Sequence, residues 1–270
     1  MKTIFLGASQ LGYDCCRTLL EAGKEIAHIF TLPQTFSIKY KGEDRRKVTN
    51  VLHADLQALG REFGVPVTEM SGKLADHLDE LEKMEPDFIL TIGWYHMIPT
   101  SVLNLPPKGV AGIHASLLPK FRGNAPLVWA IIEGEGETGV SFFYLGTGVD
   151  EGDIIGQKAF SIAEGETIAD ILEKATEASK EVLLDHYDAI ADGTSVADPQ
   201  NHAQATTYPA RRPADGEIDW SWPVERIRNF IRAQTRPYPG AFTLIEGMKI
   251  TIWDASVEDL DGLKEQAKAD

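Results

Sequence analysis

A chain of 270 residues, 43% of them hydrophobic and 25% charged, suits one large domain or a domain of about 200 residues with a short appendage, and its composition excludes wholesale disorder. A formal net charge of -15 repels the phosphates of a nucleic acid, and no run approaches the roughly 18 apolar residues of a membrane span. The N-terminus turns into a glycine-bearing motif after one short apolar run and lacks the long apolar stretch of a secretory signal, so a cytoplasmic location is expected.

Residues 2–6 form a short apolar run that meets Gly7, and Leu11, Cys15, Leu19 and Leu20 then carry helical spacing up to Gly23. A second apolar run over residues 26–30 completes a βαβ unit of the parallel-sheet kind. Cys15 and Cys16 are neighbours on that helix, where side chains point about 100° apart, which predicts reduced packing residues and no mutual disulfide. A helix over residues 54–63, a short strand beginning at Pro66 and Val67, an acidic amphipathic helix over 73–84 and buried strands over 88–92 and 110–113 follow.

A long loop over residues 118–126, punctuated by proline and glycine, leads to a helix over 127–132, a strand over 140–145 and a glycine-rich loop over 146–152. Long loops at strand ends in a compact domain are usually functional. Residues 167–192 read as a long helix, and residues 198–216 are polar, carry three prolines and read as a linker. Beyond it come a helix over 223–233 and a hairpin over 242–253 that turns at Glu246-Gly247. The tail over 258–270 is charged. The pattern predicts an α/β fold with a doubly wound, mostly parallel sheet in residues 1–195 and a small α+β appendage in 196–270. In such a sheet the site lies at the carboxyl ends of the central strands.

Gly7-Ala8-Ser9-Gln10-Leu11-Gly12 follows the first strand as a nucleotide-binding turn would, because glycines there let backbone N–H groups approach a phosphate. Ser9 stands where the dinucleotide fingerprint needs its second glycine, and Phe30 is followed by Thr31-Leu32-Pro33 with no acidic residue. The turn is therefore read as structural. His114 ends its strand and is followed by a loop with two prolines and the polar or basic Ser116, Lys120 and Arg122, which suits a substrate entrance. On the second loop Asp150, Glu151 and Asp153 offer carboxylates within reach, so an acid/base pair is one reading of this spacing and a hydrogen-bonded structural histidine the other. The histidines at 28, 53, 77, 96, 114, 186 and 202 lack ligand spacing, and no metal is expected.

On these residues the chain resembles the N10-formyltetrahydrofolate-dependent formyltransferase family, which includes methionyl-tRNA formyltransferase, glycinamide ribonucleotide transformylase and the amino-sugar N-formyltransferases. The likeness rests on His114-Ala115-Ser116-Leu117-Leu118-Pro119 with Arg122-Gly123, and on Gly148-Val149-Asp150-Glu151-Gly152-Asp153-Ile154. Pro86-Asp87, Arg211-Arg212-Pro213, Ile218-Asp219-Trp220 and Pro237-Tyr238-Pro239-Gly240-Ala241-Phe242 extend it over nearly the whole chain. The likeness is greatest to the nucleotide-linked amino-sugar N-formyltransferases.

The resemblance implies a formyl donor, N10-formyltetrahydrofolate, and a catalytic pair, His114 to move the proton between amine and folate and Asp150 to steady and orient the ring. It implies folate contacts on His96, Met97 and Ile98 and on Gly146, Thr147, Gly148, Val149 and Asp150, with Asn124 on the cofactor side, and substrate contacts at Ser116, Lys120 and Arg122. The family's third catalytic member, an asparagine whose amide helps hold the oxygen of the tetrahedral intermediate, falls on Gly112. Loss of such a donor costs on the order of 10²- to 10³-fold in rate. Either another group, such as Asn124, supplies that bond, or the chain is a folate-binding homologue with impaired catalysis; a hydrolase would pass the formyl group to water with the same pair. The tRNA-modifying members carry a C-terminal β-barrel, whereas this chain stops soon after Trp253. A nucleotide-linked amino sugar is therefore the expected acceptor, with a homodimer left open. Nucleic acid is disfavoured, although Lys39, Lys41, Arg45, Arg46 and Lys47 form a local basic run.

Overall fold

Strands buried on both faces need helices on both faces, and parallel strands need a crossover between them. The computed structural model, which describes residues 1–38 and 46–258, meets both demands. Lys39, Lys41 and Arg45 of the basic run and the tail from residue 259 lie outside the described residues. The chain begins β1 (Thr3–Gly7), α1 (Gln10–Glu21), β2 (Ile26–Thr31), with a short hairpin β3 (Thr35–Ile38) and β4 (Arg46–Thr49). Next come α2 (Leu56–Phe63), β5 (Val67–Glu69), α3 (Leu78–Met84), β6 (Phe88–Ile92), α4 (Thr100–Leu103), β7 (Val110–His114) and β8 (Arg122–Gly123). Then follow α5 (Pro126–Ile132), β9 (Glu137–Tyr144), β10 (Ile154–Ser161), α6 (Ile168–Asp192), β11 (Thr207–Tyr208), α7 (Val224–Arg232), β12 (Ala241–Ile245) and β13 (Met248–Ile252).

Seven strands form the main sheet in the order β10-β9-β7-β6-β1-β2-β5. The five from β7 to β5 are mutually parallel, while β9 runs antiparallel to both β7 and β10. Alternation along β1 sorts its side chains to opposite faces. Phe5 packs in one core with Cys15, Leu19, Leu90 and Leu183, under α1 and α6. Ile4 and Leu6 pack in another with Phe30, Ile89, Leu81 and Val102, under α3 and α4. The edge strand β10 shows mostly half-exposed or exposed residues and has no apolar run to announce it.

The glycines of the first turn serve packing. A Cβ on Gly12 would lie 2.5 Å from the Ile92 carbonyl, so only glycine lets α1 cross this close to the end of β6. Ser9 caps α1 by accepting a hydrogen bond from the Gly12 N–H at 3.4 Å.

Residues 198–216 are more than a spacer. Within them β11 pairs in parallel with β8 on the loop after His114. Further on, Arg211 lies between the rings of Trp129 and Phe230, 4.8 and 5.3 Å from their centroids, and ties α5 to α7. The hairpin β12–β13 turns at Glu246 and Gly247, both at positive φ, as a tight two-residue turn requires. Among the described residues no helix is long and apolar enough to cross a membrane.

Both cysteines are fully buried and free. Burial pushes the Cys16 thiol up to about 12 and raises Cys15 further above the ordinary thiol range, so neither supplies thiolate at mildly alkaline pH. Iodoacetamide should leave both unmodified in the native protein and alkylate both after denaturation, as read by intact-protein mass spectrometry.

Candidate active site

Because alternate residues of a strand share a face, Gly112 and His114 of β7 stand on the same face of the sheet between β6 and β9, with His114 at the carboxyl end of the strand. His114 is buried, and its Nε2 lies 2.7 Å from the Phe121 carbonyl. A carbonyl only accepts, so Nε2 carries the proton of the neutral ring and Nδ1 carries a lone pair. That Nδ1 faces Asp150 Oδ2 at 3.6 Å, which is too long for a hydrogen bond.

The loop after His114 is held by its own polar groups. Ser116 Oγ donates to the Lys120 carbonyl at 2.7 Å, and Ser141 Oγ donates to the Ser116 carbonyl at 2.7 Å while accepting from the Leu118 N–H at 3.0 Å. The Leu118–Pro119 peptide is cis. Phe121 adopts φ 56°, in the left-handed region, and this turns its carbonyl back toward His114. Its N–H donates to Thr206 Oγ1 at 2.8 Å, and its ring stacks on Tyr208 at 4.9 Å. Arg122 is also buried: its guanidinium donates to Gln200 Oε1 at 3.2 and 2.6 Å and to His202 Nδ1 at 3.0 Å. The Gly123 N–H donates to Asp150 Oδ2 at 2.8 Å and so joins the two loops.

Asp150 is a non-glycine residue at φ 50°. The turn before it is closed by Glu151, whose Oε1 accepts from the Gly148 N–H at 2.9 Å. Thr147 and Val149 are exposed and Gly146 and Gly148 have no side chains, so this stretch offers backbone groups to a ligand. Ile98 packs in the same apolar cluster as Trp94 and Leu145, which sets the 94–98 segment beside the start of the Gly146 loop. His96 is half-buried and Met97 is 67% exposed. One buried polar atom on this segment, Trp94 Nε1, has no hydrogen-bond partner among the described residues. A buried orphan donor is costly unless a ligand or water meets it.

His114 and Asp150 are thus together, and residues 96–98 and 146–150 flank a common cluster. Of the three residues expected to meet the substrate, Ser116 is buried on the Lys120 carbonyl and Arg122 on Gln200 and His202, and only Lys120 presents its charge to solvent. The Asn124 side chain is exposed and makes no hydrogen bond among the described residues. Gln200, His202 and Thr206 went unread in the sequence, where they sit in a polar stretch without periodicity.

A buried imidazole with one nitrogen on a carbonyl and the other facing a carboxylate 3.6 Å away stands at the carboxyl edge of a doubly wound sheet, where such folds place their ligand sites. The sequence matches the formyl transferase family over residues 1–186 and the formyl transferase C-terminal domain over residues 211–268. The chain belongs to the formyl transferase family, a family of enzymes. It is 33% identical over 258 residues to a methionyl-tRNA formyltransferase of Alkaliphilus oremlandii, covering 95% of this chain and 80% of that one. Its fold is shared with an N-formyltransferase from Helicobacter canadensis in complex with folinic acid and dTDP-3-aminofucose, at TM-score 0.69 and 17% identity over 93% of this chain and 86% of that one. HypX from Aquifex aeolicus, in complex with tetrahydrofolic acid, shares the fold at TM-score 0.69 and 18% identity, over 96% of this chain and 38% of that one.

Gly112 is where the expected catalytic set is incomplete, and the strands explain its size. A Cβ there would lie 2.6 Å from the Thr91 carbonyl, 3.0 Å from Thr91 Cγ2 and 3.1 Å from Leu145 Cδ1. Backbone cannot yield as a flexible side chain does, so any side chain at 112 pushes β6 away. Gly112→Asn is therefore no simple restoration. Both Gly112→Ala and Gly112→Asn should lower stability by about 1–3 kcal/mol, the usual cost of overpacking, as a reduced urea midpoint with unchanged slope.

Proposed function

We propose that this protein transfers the formyl group of N10-formyltetrahydrofolate to the primary amine of a nucleotide-linked amino sugar. The observation that carries the reading is the His114–Asp150 arrangement, with Nε2 anchored at 2.7 Å and Nδ1 left open beside the carboxylate at 3.6 Å. In this transfer the amine nitrogen attacks the formyl carbon, the bond from that carbon to N10 breaks, the amine loses a proton and N10 gains one. Nδ1 of the neutral ring takes the proton from the amine and returns it to N10. In the interval Asp150 Oδ2, held by the Gly123 N–H, steadies the imidazolium. The oxyanion on the formyl oxygen needs a donor, and the unengaged amide of Asn124 on the signature loop is suited to supply it.

The folate end of the reading is supported by the fit of the 94–98 and 146–150 segments to a flat heterocycle. Ile98, Trp94 and Leu145 make an apolar wall, residues 146–149 offer backbone groups, and Trp94 Nε1 is a buried donor in need of an acceptor. The acceptor is read from charge: a protein at -15 is poorly suited to a polyanion, whereas the few phosphates of a nucleotide sugar need only a few cations, of which exposed Lys120 stands at the entrance. A second reading, formylation of methionyl-tRNA, is favoured by the 33% identity to a methionyl-tRNA formyltransferase. Incubation with N10-formyltetrahydrofolate, a panel of UDP- and dTDP-linked amino sugars, and methionyl-tRNA separates the two. Mass gain of one formyl group on a nucleotide sugar supports the first, and on methionyl-tRNA alone the second.

With the acceptor in hand, His114→Asn should lower kcat by at least about 10²-fold while folate affinity stays nearly unchanged. Asp150→Asn should depress kcat comparably. The double variant should be little worse than either single one, because groups that act as a unit are not additive. Losses that multiply, or a His114→Asn enzyme within a few-fold of wild type, would place the chemistry elsewhere.

A further inference from the structure

Gln200 lies in the stretch between α6 and β11 and is 5% exposed. Its carboxamide is saturated. Oε1 accepts from Arg122 Nε at 3.2 Å and Nη2 at 2.6 Å, and Nε2 donates to the carbonyls of Asp150 at 2.9 Å and Gly152 at 2.7 Å. Two donors and one oxygen are all that a primary amide has, and each is used between the two loops that carry the His114–Asp150 pair. On one side Arg122 is the residue after Phe121, whose carbonyl fixes the His114 ring, and it precedes Gly123, whose N–H holds Asp150 Oδ2. On the other side stands the peptide of Asp150 itself, in a left-handed conformation at φ 50° that a non-glycine residue keeps only when its surroundings impose it.

Taken with the reading of this pair as the proton-transfer groups of formyl transfer, we infer that Gln200 is a positioning residue, which holds the Asp150 peptide so that Oδ2 stays aimed at His114 Nδ1. Gln200 bonds neither the imidazole nor the Asp150 carboxylate. It acts through the guanidinium of Arg122 and through two backbone carbonyls. No other described side chain donates to either of those carbonyls. The amide type matters here: an oxygen is required toward Arg122, and two N–H groups are required toward the Asp150 loop. Glutamine is the uncharged side chain of this length that presents both.

The decisive variant is Gln200→Glu. It keeps an oxygen for Arg122, and it replaces the donors to Asp150 and Gly152 with an oxygen that their carbonyls repel, so it releases one loop and leaves the other held. The expected outcome is a folded protein whose affinity for 5-formyltetrahydrofolate, used as a stable probe, stays within about two-fold of wild type, while kcat for formyl transfer falls on the order of 10- to 100-fold, the loss expected when a reacting group is displaced by about 1 Å. Added to Asp150→Asn, the same change should lower kcat no further. A folded Gln200→Glu protein with wild-type kcat, or losses that multiply with Asp150→Asn, would overturn the inference. If Gln200→Glu does not fold, Gln200→Met, which gives up the bond to Arg122 as well as those to Asp150 and Gly152, is read through its combination with Asp150→Asn, where losses that multiply overturn the inference and a loss no greater than that of Asp150→Asn alone supports it. If the wild-type protein formylates no amine, the reading of the function has failed and the positioning claim is decided without turnover. The ¹⁵N resonances of the His114 ring should then shift in the Gln200 variant as they do in Asp150→Asn, and unchanged resonances would overturn it.

Discussion

A carbonyl oxygen has no proton to give, so the 2.7 Å contact between Phe121 and His114 Nε2 decides which nitrogen of the ring is basic. The nitrogen left open is the one that faces Asp150. That contact exists only because Phe121, a bulky residue, sits at φ 56°, a conformation that costs on the order of 1–3 kcal/mol. Its anchors are the Thr206 hydroxyl on its N–H and the Tyr208 ring against its own, with the Thr206 carbonyl accepting from the next N–H, that of Arg122, at 2.8 Å. All three come from residues 206–208, far along the chain and just before the C-terminal region. The chemistry of a residue on β7 thus depends on the path of the chain after α6.

The same economy of space explains Gly112. β6 and β7 approach so closely that Thr91 occupies the room a side chain at 112 would take, with its carbonyl 2.6 Å and its methyl 3.0 Å from the Cβ position. An asparagine fixed in the sheet would be a preorganised donor toward an oxyanion, and preorganisation is where most of the benefit of such a donor lies. An exposed loop amide such as Asn124 must first be ordered by the substrate. Under the proposed formyl transfer, a chain arranged in this way would give up some rate at the oxyanion and keep the proton transfer assigned to His114.

Most of the sheet was legible because buried parallel strands are short apolar runs bounded by helices, as residues 88–92 and 110–113 illustrate. The hairpin turn at Glu246-Gly247 was legible for its glycine. β10 was missed because this edge strand, with Gln157 and Lys158 in its middle, carries no apolar alternation, and β3–β4 was missed because its strands are four residues each. The proximity of His114 and Asp150 was legible, and the residues that hold their two loops were not. His114 and Asp150 stand at loops whose composition marks them, whereas Gln200, His202 and Thr206 are ordinary polar residues whose partners on the loop after His114 lie 78 to 85 positions away. Ser116 and Arg122 read as substrate contacts because hydroxyl and guanidinium groups bind ligands, but in the fold both are buried, Ser116 on the Lys120 carbonyl of its own loop and Arg122 on Gln200 and His202.

The Phe121 carbonyl sets the tautomer of the neutral His114 ring. Long-range ¹H–¹⁵N correlation spectra of protein labelled at histidine, recorded where the ring is neutral and assigned against His114→Asn, measure it directly. The structure predicts a protonated Nε2 and an Nδ1 resonance of the lone-pair type for His114. A protonated Nδ1 in the neutral ring would contradict it, because the nitrogen facing Asp150 would then have no lone pair with which to take the proton of an amine.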